Sequence, residues 1–284
     1  MRADRPLWIL VAVAAATYPA LGLAWCVAAL FVFHFGQRAL GVEEHLGQIA
    51  GALLVLMGLL AVGNAVRTVV RGVRQTRRFH TWVVSRRVPI PSSVAVVVNE
   101  FGSRAPVTVV DVEQQVAVTV GLLRPSVVIS TGLAEILSPA ELRAVVAHEQ
   151  AHAKRRDPLR VLLGQMLAAH LWFLPAAEDM RTRARRSYEL AADRDATNRY
   201  GQRALAGALL RVLPAAITPG SVAPFADSDL LDARVAQLES GEPPRPHPVS
   251  PLRSALTATG ACAFLTAVTG AWMFMLIACP CLMT

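Results

Sequence analysis

The sequence predicts an α+β protein, mainly helical and membrane-embedded, with three transmembrane helices and one polar domain whose small β-sheet precedes its helices. Three observations lead there. Long runs without a charged residue lie towards both ends of the chain, and short β-branched segments separated by Gly, Pro and Asn fill the first half of the polar middle. The hydrophobic period then changes from that of strands to that of helices. Of 284 residues, 54% are hydrophobic and 17% charged, with a mean hydropathy of +0.43. A soluble domain carries about 25% charged residues, so the deficit excludes an ordinary cytosolic protein and a disordered one.

The first element is a charge-free run at 7–35, longer than the ~20 residues a bilayer requires. Its apolar core also exceeds the ~7–15 residues of a secretory signal, so an anchor is expected. The second span is expected at 46–66 and the third over 254–284. Between Glu44 and Glu100 there is no acidic residue, while Arg67, Arg71, Arg74, Arg77, Arg78, Arg86 and Arg87 follow the second span. The positive-inside rule then puts the N-terminus and the polar middle in the cytoplasm. The formal net charge is +8, with Lys154 the only lysine. Because the cations cluster beside the membrane, anionic lipid accounts for them and no direct nucleic-acid binding is expected. Cys26, Cys262, Cys279 and Cys281 form neither a disulfide framework nor a zinc-ribbon spacing.

These boundaries give a transmembrane hairpin with its basic segment at 1–79, a cytoplasmic domain at 80–245, and a Pro-rich linker and last helix at 246–284. Within the domain, strands are expected at Val94 to Val98, Val107 to Val112, Val116 to Val120 and Ser126 to Ser130. Ser138-Pro139-Ala140-Glu141 fits a capped helix start with Pro in the first turn. That helix should run to about Arg156 and stop near Asp157-Pro158. The charge-free stretch from Val161 to Ala177 reads as a buried or membrane-skimming helix, with a membrane span as the alternative. A further helix covers about Glu178 to Tyr200. Pro214, Pro219 and Pro224 then break the pattern, and Pro243 to Pro251 make a stiff linker.

The chemistry sits at His148-Glu149-Gln150-Ala151-His152. On a helix, positions i and i+4 share a face, so both imidazoles can reach one metal ion while Glu149 addresses the water beside it. This is the HExxH zincin arrangement, and a catalytic zinc usually has a third protein ligand and an open position. Candidates are His170, Glu178, Asp179, Glu189, Asp193 and Asp195. A lone His in an apolar helix is more often packed, and Glu178 and Asp179 stabilise a helix start. Glu189 and Asp193, spaced i, i+4, read either as a ligand with an outer carboxylate behind it or as a salt-bridged face.

The pentapeptide followed by Ala153-Lys154-Arg155-Arg156-Asp157, then Trp172-Phe173-Leu174-Pro175, then Glu189-Leu190-Ala191-Ala192-Asp193, resembles the BlaR/MecR-type integral-membrane zinc metallopeptidases. Upstream, Val120 to Pro125, Ile129 to Leu133 and Leu137-Ser138 resemble that family too. The resemblance covers residues 90–200 in order. It implies a gluzincin-like site with His148, His152 and Glu189 as zinc ligands and Glu149 as general base. It also implies Asp193 as the outer carboxylate and matches Asp157 to a family position. The β-lactam-sensing members carry an extracellular penicillin-binding domain after the last span and more N-terminal spans, so antibiotic sensing is not expected of this sequence.

The expected activity is a membrane-bound zinc endopeptidase acting on a cytosolic or membrane-proximal protein. The resemblance implies a BlaI-like winged-helix repressor, or the protease itself, as substrate. Two alternatives stand beside it: an HtpX-like quality-control protease, and a metal-binding receptor or scaffold without proteolysis. Val116 to Val120 is the expected edge for an extended substrate. A donor for the oxyanion is also expected, with Tyr188 and Tyr200 as candidates between which the spacing does not select.

Overall fold

The computed structural model describes residues 5–15, 42–102, 105–216, 228–245, 248 and 250–278. A short helix α1 (Arg5–Ala15) comes first. It is followed by α2 (Val42–Ser85), β1 (Arg87–Val88), α3 (Ser92–Glu100), β2 (Val107–Val110), β3 (Ala117–Val120) and β4 (Ser126–Ser130). Then come α4 (Thr131–Ile136), α5 (Pro139–Arg155), α6 (Asp157–His170), α7 (Pro175–Tyr200), α8 (Gln202–Ala216), α9 (Ser228–Ser240) and α10 (Pro251–Ala278). These elements form two compact units, one within Arg71–Leu163 and Arg183–His247, the other within Arg5–Val70, Gly164–Thr182 and Pro248–Thr284.

The first unit is built on a four-stranded sheet of order β1-β2-β4-β3, with β2 and β4 parallel and the outer pairs antiparallel. Alternation along the strands sorts their side chains to two faces. Val109, Val127 and Ile129 meet Val94 and Val97 of α3 and Leu142 and Val146 of α5 in the main core. Val110 and Val128 face Phe79, Trp82 and Val83 near the end of α2. β3 is an edge strand. Its hairpin to β4 turns on Gly121 at φ +96, where a Cβ would lie 2.6 Å from the Arg124 carbonyl oxygen, so only glycine fits there.

Ser138 caps α5 in a reciprocal capping box. Its hydroxyl accepts from the Glu141 N–H at 3.3 Å, and the Glu141 carboxylate accepts from the Ser138 N–H at 2.7 Å. The helix ends where expected, but not by breaking at Asp157-Pro158. Arg156 takes the left-handed conformation, φ 55 and ψ 42, and the chain turns straight into α6 with Asp157 in its first turn. Another expectation is overturned outright. Val94 to Val98 is helical, not a strand: Pro91 precedes the helix start, Val94 and Val97 are fully buried at i, i+3, and Val96 between them is exposed. A short β-branched run carries no period of its own, and packing on the sheet decided it.

In the second unit Leu7, Leu10 and Ala14 of α1 pack with Leu167, Leu171 and Ala177, and Phe173 stacks on Phe264 of α10 at 5.4 Å. The apolar stretch after Val161 is two elements, since α6 stops at His170 and α7 begins at Pro175. α8 carries Pro214 inside it, while Pro219 and Pro224 lie outside the described residues. Among the described residues one helix, over Leu56–Ser85, is long and apolar enough to cross a membrane. It contains part of the expected second span and continues through the arginine-rich segment. Of the expected first span only 7–15 is described. The expected third overlaps α10 over residues 254–278, while Cys279, Cys281 and the other residues beyond 278 lie outside the described set, and three spans are not established.

Candidate metal centre

Helix α5 sets His148 and His152 one turn apart, with ring centroids 4.7 Å apart and planes at 76°. Their Nε2 atoms approach to 3.0 Å. From α7, Glu189 brings Oε2 to 3.5 Å from the His148 Nε2 and 3.6 Å from the His152 Nε2. These three groups are a set that could hold a metal ion among the described residues. Tetrahedral coordination with bonds of ~2.0–2.1 Å separates ligand atoms by about 3.3 Å, and the three observed separations bracket that value. The donor set therefore fits one small divalent cation.

Burial opposes a proton on His152, but the Glu189 charge and the Asp157 hydrogen bond outweigh it, and its pKa is pushed up to about 10. Burial likewise opposes a charge on Glu189, yet the two imidazoles hold its carboxyl well below the usual range. His148 is raised as well, against burial, by Asp193 and Glu189. Metal ligation requires neutral imidazoles, so these protons leave when a cation enters.

Each ring is held by its other nitrogen. The His152 Nδ1 lies 2.7 Å from the Asp157 Oδ2, and the His148 Nδ1 lies 2.9 Å from the Asp193 Oδ1. Such carboxylates fix the tautomer and orientation of a ligand imidazole. Asp157 also accepts from the Arg155 Nε at 3.2 Å. Asp193 is fully buried and takes a bidentate pair from Arg234 of α9, with Nε to Oδ2 at 2.8 Å and Nη2 to Oδ1 at 2.7 Å. Next to it, the Gln237 side-chain N–H donates to the Leu190 carbonyl at 2.8 Å. Glu149, beside the first ligand, has its own partner. The Thr119 hydroxyl of β3 lies 2.7 Å from its Oε2 and 2.8 Å from its main-chain oxygen.

The profile of the family described as BlaR1 peptidase M56 matches residues 41–237, more than half of the chain. The chain belongs to this family. M56 peptidases are metal-dependent, and the His148, His152 and Glu189 cluster is a place in this M56 chain where the metal could sit. No protein with a curated description matches it.

The other candidates from the sequence are engaged elsewhere. Glu178 pairs with Arg181 and Asp179 with Arg253, Asp195 pairs with Arg155 at 2.8 Å, and His170 is buried in the second unit. Tyr200 packs against Phe101 with ring centroids 5.8 Å apart and planes tilted by 42°, and the buried Tyr188 ring lies under the Arg160 guanidinium. Sequence reasoning missed Thr119, Arg234 and Gln237. The signal for the last two was available: both share the buried face of α9 with Leu230 and Leu238, and a charge on an apolar face needs a buried partner.

Proposed function

We propose that this chain is a membrane-bound zinc endopeptidase that cuts a cytosolic or membrane-proximal protein, and that it acts as a regulatory protease on a winged-helix transcriptional repressor. The observation that carries the reading is the convergence of two imidazoles and one carboxylate with Glu149 alongside. Two His and one carboxylate suit zinc. When bound, zinc supplies a Lewis acid that activates water and polarises the scissile carbonyl. His148, His152 and Glu189 hold the ion, while Asp157 and Asp193 keep the two rings aimed. Glu149 takes the proton that water releases as it forms a bond to the carbonyl carbon. It then passes that proton to the amide nitrogen as the C–N bond breaks. The outer edge of β3 offers main-chain groups to an extended substrate segment, which fits an endopeptidase.

The test compares wild-type and Glu149→Ala membranes for bound zinc and for loss of full-length candidate repressor. Zinc should be retained in both and repressor lost only in the wild type. Trapping of many misfolded membrane proteins on Glu149→Ala would instead indicate quality control, and an unchanged phenotype would indicate a non-proteolytic scaffold.

A further inference from the structure

Resting on the peptidase reading above, we propose that Thr119 is a positioning residue for Glu149, one that pins a single oxygen of the carboxylate and leaves the other to carry the proton. Glutamate has three side-chain torsions, and neither the i, i+4 spacing of the histidines nor the cation fixes where its carboxylate points. Something outside α5 has to do so. In this chain the Thr119 hydroxyl reaches across from β3 to the Glu149 Oε2 at 2.7 Å. Both residues are buried, so bulk water does not compete freely for either partner, and a hydrogen bond to a charged group is correspondingly strong.

The face of the strand explains why this residue is the one that reaches. Val118 and Val120 pack on the α2 side of the sheet, whereas Ala117 packs in the core on the α5 side. Alternation therefore turns Thr119 towards α5. A valine, the residue type on either side of it, would fill the same space with no donor.

A second contact defines the orientation further. The same hydroxyl lies 2.8 Å from the Glu149 main-chain oxygen, so Thr119 grips both ends of one residue. A hydroxyl has one hydrogen, and it is shared between these two acceptors. Oε2 is thus held as an acceptor, and Oε1 remains the oxygen able to take a proton from water and release it to the leaving amine. The Thr119 side chain acts through Glu149, by way of the hydroxyl contact to Oε2.

The experiment uses the full chain, zinc-loaded in detergent, with hydrolysis of fluorescein-labelled β-casein as the activity probe. A second probe is the affinity of the cobalt-loaded protein for acetohydroxamate, read by visible absorption. Thr119→Val should lower kcat by about ten- to hundredfold, the loss expected when a hydrogen bond to a charged group is removed, with KM and bound zinc unchanged. Acetohydroxamate should bind about tenfold more weakly, because its ionisable proton needs the aimed carboxylate. Thr119→Ser restores the hydroxyl and should restore both. In a Glu149→Gln background, Thr119→Val should add no further loss of rate.

The proposal is overturned if Thr119→Val matches the wild type or Thr119→Ser matches Thr119→Val. It is equally overturned if Thr119→Val loses zinc or folded structure while Thr119→Ser fails to recover them, since Thr119 would then be a packing residue. Failure of the parent reading looks different: the wild type would bind zinc and leave casein and every candidate repressor intact, while the acetohydroxamate comparison would still decide the role of Thr119.

Discussion

Arg234 places a positive charge where almost no water reaches it, in a bidentate pair with the buried Asp193. Burial opposes both charges, yet each shifts the other towards its ionised form: Asp193 sits below the ordinary carboxylate range and Arg234 above its own. Removing one member of such a pair leaves the other uncompensated, at about 3–5 kcal/mol. Arg234→Met should therefore destabilise the fold by that order and weaken zinc binding, because Asp193 no longer has a fixed place beside His148. Chemical denaturation and a zinc titration check this, and a variant within about 0.5 kcal/mol of wild type would contradict it. The two kinds of site residue differ in how visible they are in the sequence. His148, Glu149 and His152 declare themselves because one helical turn brings them together. Arg234 meets Asp193 across 41 positions, and Thr119 meets Glu149 across 30, so both depend on how elements dock.

The helices show the same division between local and long-range cause. Both ends of α5 were legible because Ser138, Pro139 and Glu141 make the start, and the end was fixed to within a residue or two. The Ser138 cap leads to a prediction: Ser138→Ala removes the hydroxyl half of the box, leaves the main-chain N–H of residue 138 to the Glu141 carboxylate, and should cost about 1 kcal/mol. Because α5 carries both imidazoles, the loss should also appear as faster amide exchange in its first turn, measured by hydrogen–deuterium exchange. Equal protection in variant and wild type would show that packing alone holds the start. α3 was misread as a strand, and α8 and α9 were not anticipated. The valines of α3 have a β-branched composition that favours strands in isolation, while burial of Val94 and Val97 on one helical face decides otherwise. In α8 the Pro214 within Gln202–Ala216 suggested a break where the helix continues.

For the molecule as a whole, metal and proton compete for the same imidazoles. In the metal-free protein the His152 pKa is raised from 6.5 to about 10. The stability this contributes is therefore fully present below pH 6.5 and is lost as pH rises through about 10. A cation has to displace that proton, so its affinity rises over the same window. The stripped protein should become less stable as pH rises, and the gain on adding zinc should grow. At a free zinc concentration fixed at about 100 times the Kd measured at pH 6.5, the gain is about 2.7 kcal/mol at that pH and larger at the higher one. Thermal unfolding of stripped and loaded protein at pH 6.5 and about 8.5 reads both trends, and an equal zinc-induced shift at the two values would count against the coupling. At this scale the sequence conveyed class, family and a cluster that could hold a metal, because those depend on composition and on one motif. The number of membrane crossings rests on long apolar runs, and among the described residues one helix meets the length and hydropathy for a span.

The family match stops at residue 237, the glutamine whose side chain grips the carbonyl next to Glu189 on the sequence. Anyone trimming this M56 chain to a minimal piece would be tempted to cut after α8, since His148, Glu149, His152 and Glu189 all lie upstream. Such a piece would keep every donor atom and lose the brace that aims them. On the proposed metal reading, the smallest unit expected to retain an ion runs through α9.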